Sequence, residues 1–178
     1  MKWLNHLFGG PNDMAALTAG TKAPDFSLPA LDGSKFSLQE ALQRGPVLAA
    51  FFKVSCPVCQ YAFPYFERLY SAYGKRKVTL VGVSQDNERD TVAFLKEYGV
   101  SFRTLLDDPK GYAVSNAYGL TNVPTWFLIG EDGTIEMSSV GWVKQDIEDL
   151  NHKLAIAQQI PPTAVFKAGE DVRDFRAG

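Results

Sequence analysis

The chain carries two thiols, and they stand three residues apart in Cys56-Pro57-Val58-Cys59. Such a pair suits exchange between a dithiol and a disulfide. The thiolate is the attacking species, and residues three apart on a helix are neighbours. One sulfur can therefore capture a partner sulfur and the other can displace it. The flanking residues supply the helix. Apolar, largely β-prone residues fill positions 47–54, and a helical pattern then begins at Pro57, carried by Tyr61, Phe63, Phe66, Leu69 and Tyr70. Proline suits the first helical position, where the amide it lacks would be unpaired anyway. Cys56 is thus expected at or next to the helix N-cap and Cys59 one turn inside. Unpaired amides and the positive end of the helix dipole there favour thiolate over thiol. Excessive lowering of the thiol pKa would make a poorer attacker. A purely structural bridge would close so short a loop that it would restrict the unfolded chain little, so redox chemistry is the better reading of the pair.

Composition bounds the rest. A length of 178 residues suits one domain with a sizeable core, and 46% apolar with 21% charged residues marks a globular chain. The net charge of −2 gives no electrostatic reason to expect nucleic acid or an anionic membrane as partner. Two cysteines are too few for a secreted disulfide framework. Structural zinc needs four ligands, and the histidines, His6 and His152, lie far from the cysteines, so neither metal nor cofactor is expected. No apolar run is long enough to span a membrane, and Asn5 and His6 interrupt the short apolar start too early for a signal-peptide core. The default expectation is the cytoplasm.

Three segments are expected: an N-terminal arm at 1–19, a domain at 20–160 and an extended tail at 161–178. The arm is expected to be mobile, since terminal segments are usually loosely held; a short docking helix with Trp3, Leu4, Leu7 and Phe8 on one face is the alternative, and Gly9-Gly10-Pro11-Asn12 is a breaker. Short strands at 26–28 and 35–37 flank a turn at Asp32-Gly33. Ser37 with Glu40 forms a capping box for a helix at 38–43. The long buried strand at 47–54 leads into the cysteine helix, which is expected to reach Tyr73 with Gly74 as its stop and to be kinked by Pro64, whose ring removes a backbone hydrogen bond. A second buried strand follows at 78–84. Asp86 or Asn87 then caps a helix whose face is Val92, Phe94, Leu95 and Tyr98. A strand at 102–106, a solvated turn at Asp107-Asp108-Pro109-Lys110-Gly111 and a short helix at 112–118 come next. A hairpin of 125–129 with 134–140 and a helix at 146–158, on Ile147, Leu150, Leu154 and Ile156, complete the domain. Phe166, Val172 and Phe175 would pin the tail. This order describes an α/β sandwich with a mixed central sheet.

The element order, with Cys56-Pro57-Val58-Cys59, Pro64 five residues on, and Val123-Pro124-Thr125 before the hairpin, resembles the thioredoxin fold. The opening Gly20-Thr21-Lys22-Ala23-Pro24-Asp25-Phe26-Ser27-Leu28, followed by Asp32-Gly33 and Phe36-Ser37-Leu38, is similar to the branch holding peroxiredoxins and TlpA/ResA-type thiol–disulfide oxidoreductases. That branch also has an inserted helix and strand, which residues 88–106 match. The resemblance implies a thioredoxin-like three-layer sandwich and a cis bond at Val123–Pro124 beside the cysteines. It implies Val123, Pro124 and Pro57 as substrate-contacting positions. Two departures matter. The peroxide-pocket pattern Pro-x-x-x-Thr/Ser-x-x-Cys is replaced by Ala49 and Lys53 before Cys56. The buried Asp six residues before the first cysteine of thioredoxin is Ala50, which leaves the proton acceptor for Cys59 open, and the tryptophan before that cysteine is Ser55.

The leading expectation is a thiol–disulfide oxidoreductase in which Cys56 attacks and Cys59 resolves. It would act on a protein or small-molecule disulfide or dithiol and be recharged by a reductase or oxidase that the sequence does not identify. A peroxiredoxin-like peroxidase, with Cys56 oxidised to sulfenic acid and condensed with Cys59, is the alternative. A redox-inert binding module with Tyr61, Phe63, Trp126 and Trp142 as a contact patch is the third reading.

Overall fold

The computed structural model describes residues 15–178, so the reading of Trp3, Leu4, Leu7, Phe8 and the following Gly-Gly-Pro break lies outside the described residues. The order is β1 (Ser27–Pro29), β2 (Lys35–Ser37), α1 (Leu38–Leu42), β3 (Val47–Phe52), α2 (Pro57–Tyr73), β4 (Thr79–Ser84), α3 (Glu88–Tyr98) and β5 (Thr104–Leu106). It continues with α4 (Ala113–Ala117), β6 (Thr125–Ile129), β7 (Ile135–Val140), β8 (Trp142–Val143), α5 (Lys144–Gln158) and β9 (Phe175–Arg176).

Five strands form one mixed sheet in the order β5-β4-β3-β6-β7. β3 runs parallel to β4, with Val47 opposite Thr79 and Phe52 opposite Ser84, and antiparallel to β6, with Phe51 opposite Thr125. That antiparallel register matters for everything that follows. The chain leaving β3 and the chain entering β6 meet at one end of the sheet, which brings residues 53–59 and 122–124 together.

β3 is central, and all six of its residues are fully buried. Alternate side chains leave opposite faces. Leu48, Ala50 and Phe52 join the core beneath α2, α3 and α5, whereas Val47, Ala49 and Phe51 join the core under β1, β2, α1 and α4. Phe52 stacks on Phe63 of α2 and Phe94 of α3, with ring centres 4.3 and 4.9 Å apart. Burying each such side chain is worth roughly 1.5–3 kcal/mol, so α2 is fastened to the sheet close to its cysteines. The helix runs on through Pro64.

Several expectations are corrected. Val92 and Ile156 are exposed rather than core-facing. In α3 the inward place goes to Thr91, whose hydroxyl lies 2.7 Å from that of Ser84. In α5 it goes to Asn151, whose side chain holds Tyr73 at 2.5 Å and the Thr163 carbonyl at 2.9 Å. A polar residue with a satisfied hydrogen bond can be buried where an apolar neighbour is left out. Asp107 is not a solvated turn residue. It is buried, and its carboxylate accepts the amides of Val114 and Ser115 at 3.3 and 2.8 Å, so it serves the first turn of α4 from a distance. Phe175 is exposed and does not pin the tail. Val165 is buried instead, and Phe166 packs on Tyr65 and Trp142.

Removing the Asp107 carboxylate would strand two buried amides. Asp107→Ala is expected to lower unfolding free energy by about 1–3 kcal/mol, measured by urea denaturation, with Asp108→Ala nearly neutral.

Candidate active site

Cys56 is the N-cap of α2, with extended backbone (φ −83°, ψ 115°), and Pro57 occupies the first helical turn. The capping acceptor is the cysteine sulfur itself, which takes the Cys59 amide at 3.3 Å. A turn closed by the Cys56 amide on the Lys53 carbonyl at 3.1 Å fixes the approach from β3. Both thiols are free; Cys56 is half-buried and Cys59 fully buried.

The Val123–Pro124 bond is cis. Pro124 is buried, and the loop is held from both sides: Thr125 Oγ1 donates to the Asn122 carbonyl at 2.8 Å, and the Gly141 amide donates to the Pro124 carbonyl at 2.7 Å. The Cys56 thiol donates to the Val123 carbonyl at 3.2 Å. The structure therefore brings Cys56, Cys59, Val123 and Pro124 to one place, while Pro57 stands exposed beside Cys56.

The two thiols are driven apart electrostatically. Hydrogen bonding from the Cys59 side chain, then the amides of Cys59 and Val58 and the charge of Arg176, outweigh burial and hold Cys56 down to about 6. Burial pushes the Cys59 thiol far above the usual thiol range, reinforced by its hydrogen bond to Cys56 and the negative charge of Asp86. The surroundings of Cys59 explain the direction. Ala50, where the thioredoxin pattern would place a carboxylate, shares its apolar cluster. Asp86 is the carboxylate whose charge acts on Cys59, and it accepts the Val54 amide at 2.7 Å. Asn87 takes the capping role on α3, accepting the Asp90 amide at 2.9 Å, so Asp86 is free to turn toward the cysteine loop.

Lys53, the charged side chain nearest the cysteines in sequence, lies with its ammonium 5.7 Å from the Tyr112 ring centre. With Gln85, Tyr112, Asn122 and Val123 it lines a cavity of about 310 Å³ beside the cis-proline loop. Of the proposed contact patch, Phe63, Trp126 and Trp142 are buried core, and Tyr61 alone is half-exposed. Asp86, Asn122, Gly141 and Arg176 are site neighbours that the motifs did not reveal. Asp86 carried a signal as a candidate cap; Arg176, in a polar tail without periodicity, carried none. Among the described residues no group of three or more His, Cys, Asp or Glu could hold a metal, and no helix is long and apolar enough to cross a membrane.

Comparison with known proteins agrees with this geometry. The AhpC/TSA family model matches residues 19–138. The thiol-disulfide oxidoreductase ResA of Halalkalibacterium halodurans is 34% identical over 140 residues, covering 78% of each chain, and that of Bacillus thuringiensis (strain Al Hakam) is 29% identical over 144 residues, covering 80% of this chain and 82% of the relative. A Chlorobium tepidum structure, provisionally described as a thiol:disulfide interchange protein DsbE, superposes with a TM-score of 0.69 at 30% identity, covering 80% of this chain and 99% of its own. Peroxidoxin BcpB of Mycobacterium tuberculosis shares the fold at 23% identity and a TM-score of 0.64, covering 82% of this chain and 99% of its own. The fold is thioredoxin-like.

The split between the thiols has a direct readout. Alkylation of the reduced protein by a neutral haloacetamide is expected to modify Cys56 alone at neutral pH. Its rate should rise through a midpoint near 6 and level off above it. A midpoint near that of an ordinary thiol, or equal labelling of Cys59, would contradict the geometry.

Proposed function

This chain belongs to the AhpC/TSA family and is a thiol–disulfide oxidoreductase, and on that premise we propose that Cys56 attacks, Cys59 resolves, and the Val123–Pro124 loop seats the substrate. The observation that supports the assignment is the unequal placement of the two sulfurs: one half-exposed at a helix N-terminus where it accepts a backbone amide, an arrangement that favours the thiolate, the other fully buried beneath it, where the thiol is favoured.

The Cys56 thiolate attacks one sulfur of a substrate disulfide. A mixed disulfide forms, and the other substrate sulfur leaves as a thiolate that takes up a proton. Cys59 then loses its proton, attacks the Cys56 sulfur and expels the second substrate thiolate. Two electrons pass from the protein dithiol to the substrate, and the protein is left with a Cys56–Cys59 disulfide. Burial of Cys59 protects the mixed disulfide until the Cys59 thiol is deprotonated. Asp86, the carboxylate whose field reaches Cys59, is placed to influence that step.

The Val123 carbonyl adds a coupling. When Cys56 is protonated its thiol donates to that carbonyl, a bond that the thiolate cannot make. An extended substrate segment beside the loop would offer its own amide to that carbonyl. The thiol form would then lose its acceptor, which favours the thiolate when substrate is seated. The substrate class is a disulfide presented in extended chain or as a small molecule, and the reverse reaction uses the same groups.

The peroxidase reading is less well supported, because Cys56 has a resolving partner three residues away and Ala49 and Lys53 stand where the peroxide-pocket residues would be. Insulin reduction in the presence of dithiothreitol separates the readings. Cys56→Ser is expected to lose on the order of 100-fold or more in rate, and Cys59→Ser to accumulate a mixed disulfide with substrate. Equal rates for wild type and Cys56→Ser, or hydrogen peroxide consumption much faster than disulfide reduction, would overturn the assignment.

A further inference from the structure

Residues 161–178 fold back over α2 and end beside the active site. Three sets of contacts fasten them. The Arg68 guanidinium grips Glu170 through both nitrogens at 2.8 and 2.9 Å and also donates to the Val165 carbonyl at 2.8 Å. That pairing holds the Glu170 carboxyl down to about 2. Further along, the Trp142 indole donates to the Arg173 carbonyl at 2.6 Å, and the Arg173 amide donates to the Tyr61 hydroxyl at 2.9 Å. Finally β9 pairs with β8, Trp142 opposite Arg176, and Asn122 Nδ2 donates to the Gly178 carbonyl at 2.7 Å.

The last contact is unusually close. Gly141 has φ +75°, and a Cβ built there would fall 2.6 Å from the Arg176 carbonyl oxygen; one built on Gly178 would fall 2.6 Å from the Val123 carbonyl oxygen. No side chain fits between these backbones. The segment is therefore packed main chain to main chain against the cis-proline loop, whose Val123 carbonyl also holds the Cys56 thiol. Arg176 is the cation this placement delivers. Its guanidinium lies 4.9 Å from the ring centre of Tyr61, in the second turn of α2 beyond Cys56, and the residue stays half-exposed.

We propose that Arg176 is a positioning residue for the exchange reaction: the folded-back segment holds its guanidinium at the rim of the site, where its positive charge acts on the cysteine loop and selects disulfides flanked by negative charge. The proposal rests on the exchange function assigned above. The other charges near the cysteine loop do not duplicate it. Lys53 is drawn toward Tyr112, and Asp86 acts on Cys59 from the loop after β4. The Asn122–Pro124 loop brings no charge, Tyr61 is the α2 side chain beneath the guanidinium, and Arg173 and Asp174 are the neighbouring charged residues on the segment itself. Arg176 is the cation whose charge lowers the Cys56 thiol. A guanidinium resting on an aromatic face keeps its charge and its outward donors, so it can also meet a carboxylate on an incoming substrate.

The test compares reduced wild type, Arg176→Gln, Arg176→Lys and a chain lacking residues 174–178. Each reacts with dithiobis-nitrobenzoate, which carries two carboxylates, and with neutral dithiodipyridine; haloacetamide profiles of Cys56 are recorded alongside. Arg176→Gln is expected to lower the ratio of the two disulfide rates by about threefold at low salt and to raise the alkylation midpoint. Arg176→Lys should restore most of both, and the wild-type preference should shrink as salt shortens the Debye length from about 30 Å to a few ångströms. The shortened chain, which also loses the β8–β9 pairing and the Asn122 contact, should show at least the Arg176→Gln effect. An unchanged ratio and midpoint in Arg176→Gln would overturn the proposal. So would a lysine variant that behaves like glutamine, or an effect seen only on shortening the chain, since either would point to shape rather than charge. A wild-type protein inert to both disulfides would instead sink the exchange function, and the alkylation profiles would still decide the role of Arg176.

Discussion

The structure turns on a single sulfur atom that serves as a helix cap. Serine, threonine or aspartate usually accepts the first free amides of a helix; in α2 the acceptor is Cys56. Capping and activation are therefore one interaction. The amide that needs an acceptor stabilises the sulfur most when it is an anion, so the energy that begins the helix also favours the Cys56 thiolate. The same amide belongs to Cys59, which places the second thiol one turn away by construction.

The sheet makes that local arrangement useful. Because β6 runs antiparallel to β3, the residues preceding β6 must lie beside those following β3, and the cis-proline loop meets the cysteine turn without any long-range device of its own. The aromatic stack of Phe52, Phe63 and Phe94 then fixes how α2 leans on the sheet. Polar anchors finish the work at the edges: Asp86 on the Val54 amide, Gly141 on the Pro124 carbonyl, and the returning segment on Gly141 and Val123. The outcome is one half-exposed thiol and one sealed beneath it.

Most of the fold and the core of the site could be read from residue patterns. The cysteine helix, with its proline at the start and Gly74 at its end, is found where the periodicity of Tyr61, Phe63, Phe66 and Leu69 places it. Strand edges were less legible, since β3 ends at Phe52 although the strand expected from the sequence continues through Lys53 to Val54: the chain must turn there to present Cys56. Two kinds of feature were hidden. Apolar residues at helical spacing do not reveal which edge of the face is covered, hence the exposure of Val92 and Ile156. Polar residues whose partners are remote in sequence give no local sign of their role. Asp107 reads as a turn, Asp86 as a cap, and Arg176 as part of a polar tail, until tertiary pairing gives each its partner.

The account stands or falls on whether these two sulfurs form a reversible pair in solution. Equilibrating the protein in glutathione buffers of graded potential, then quenching and mapping the cysteines by mass spectrometry, measures this directly. The expected result is one two-electron transition linking the free dithiol to a Cys56–Cys59 disulfide, within the range of about −270 to −120 mV covered by related dithiols. Thiols that stay free across that range, or that pair only with glutathione, would contradict it.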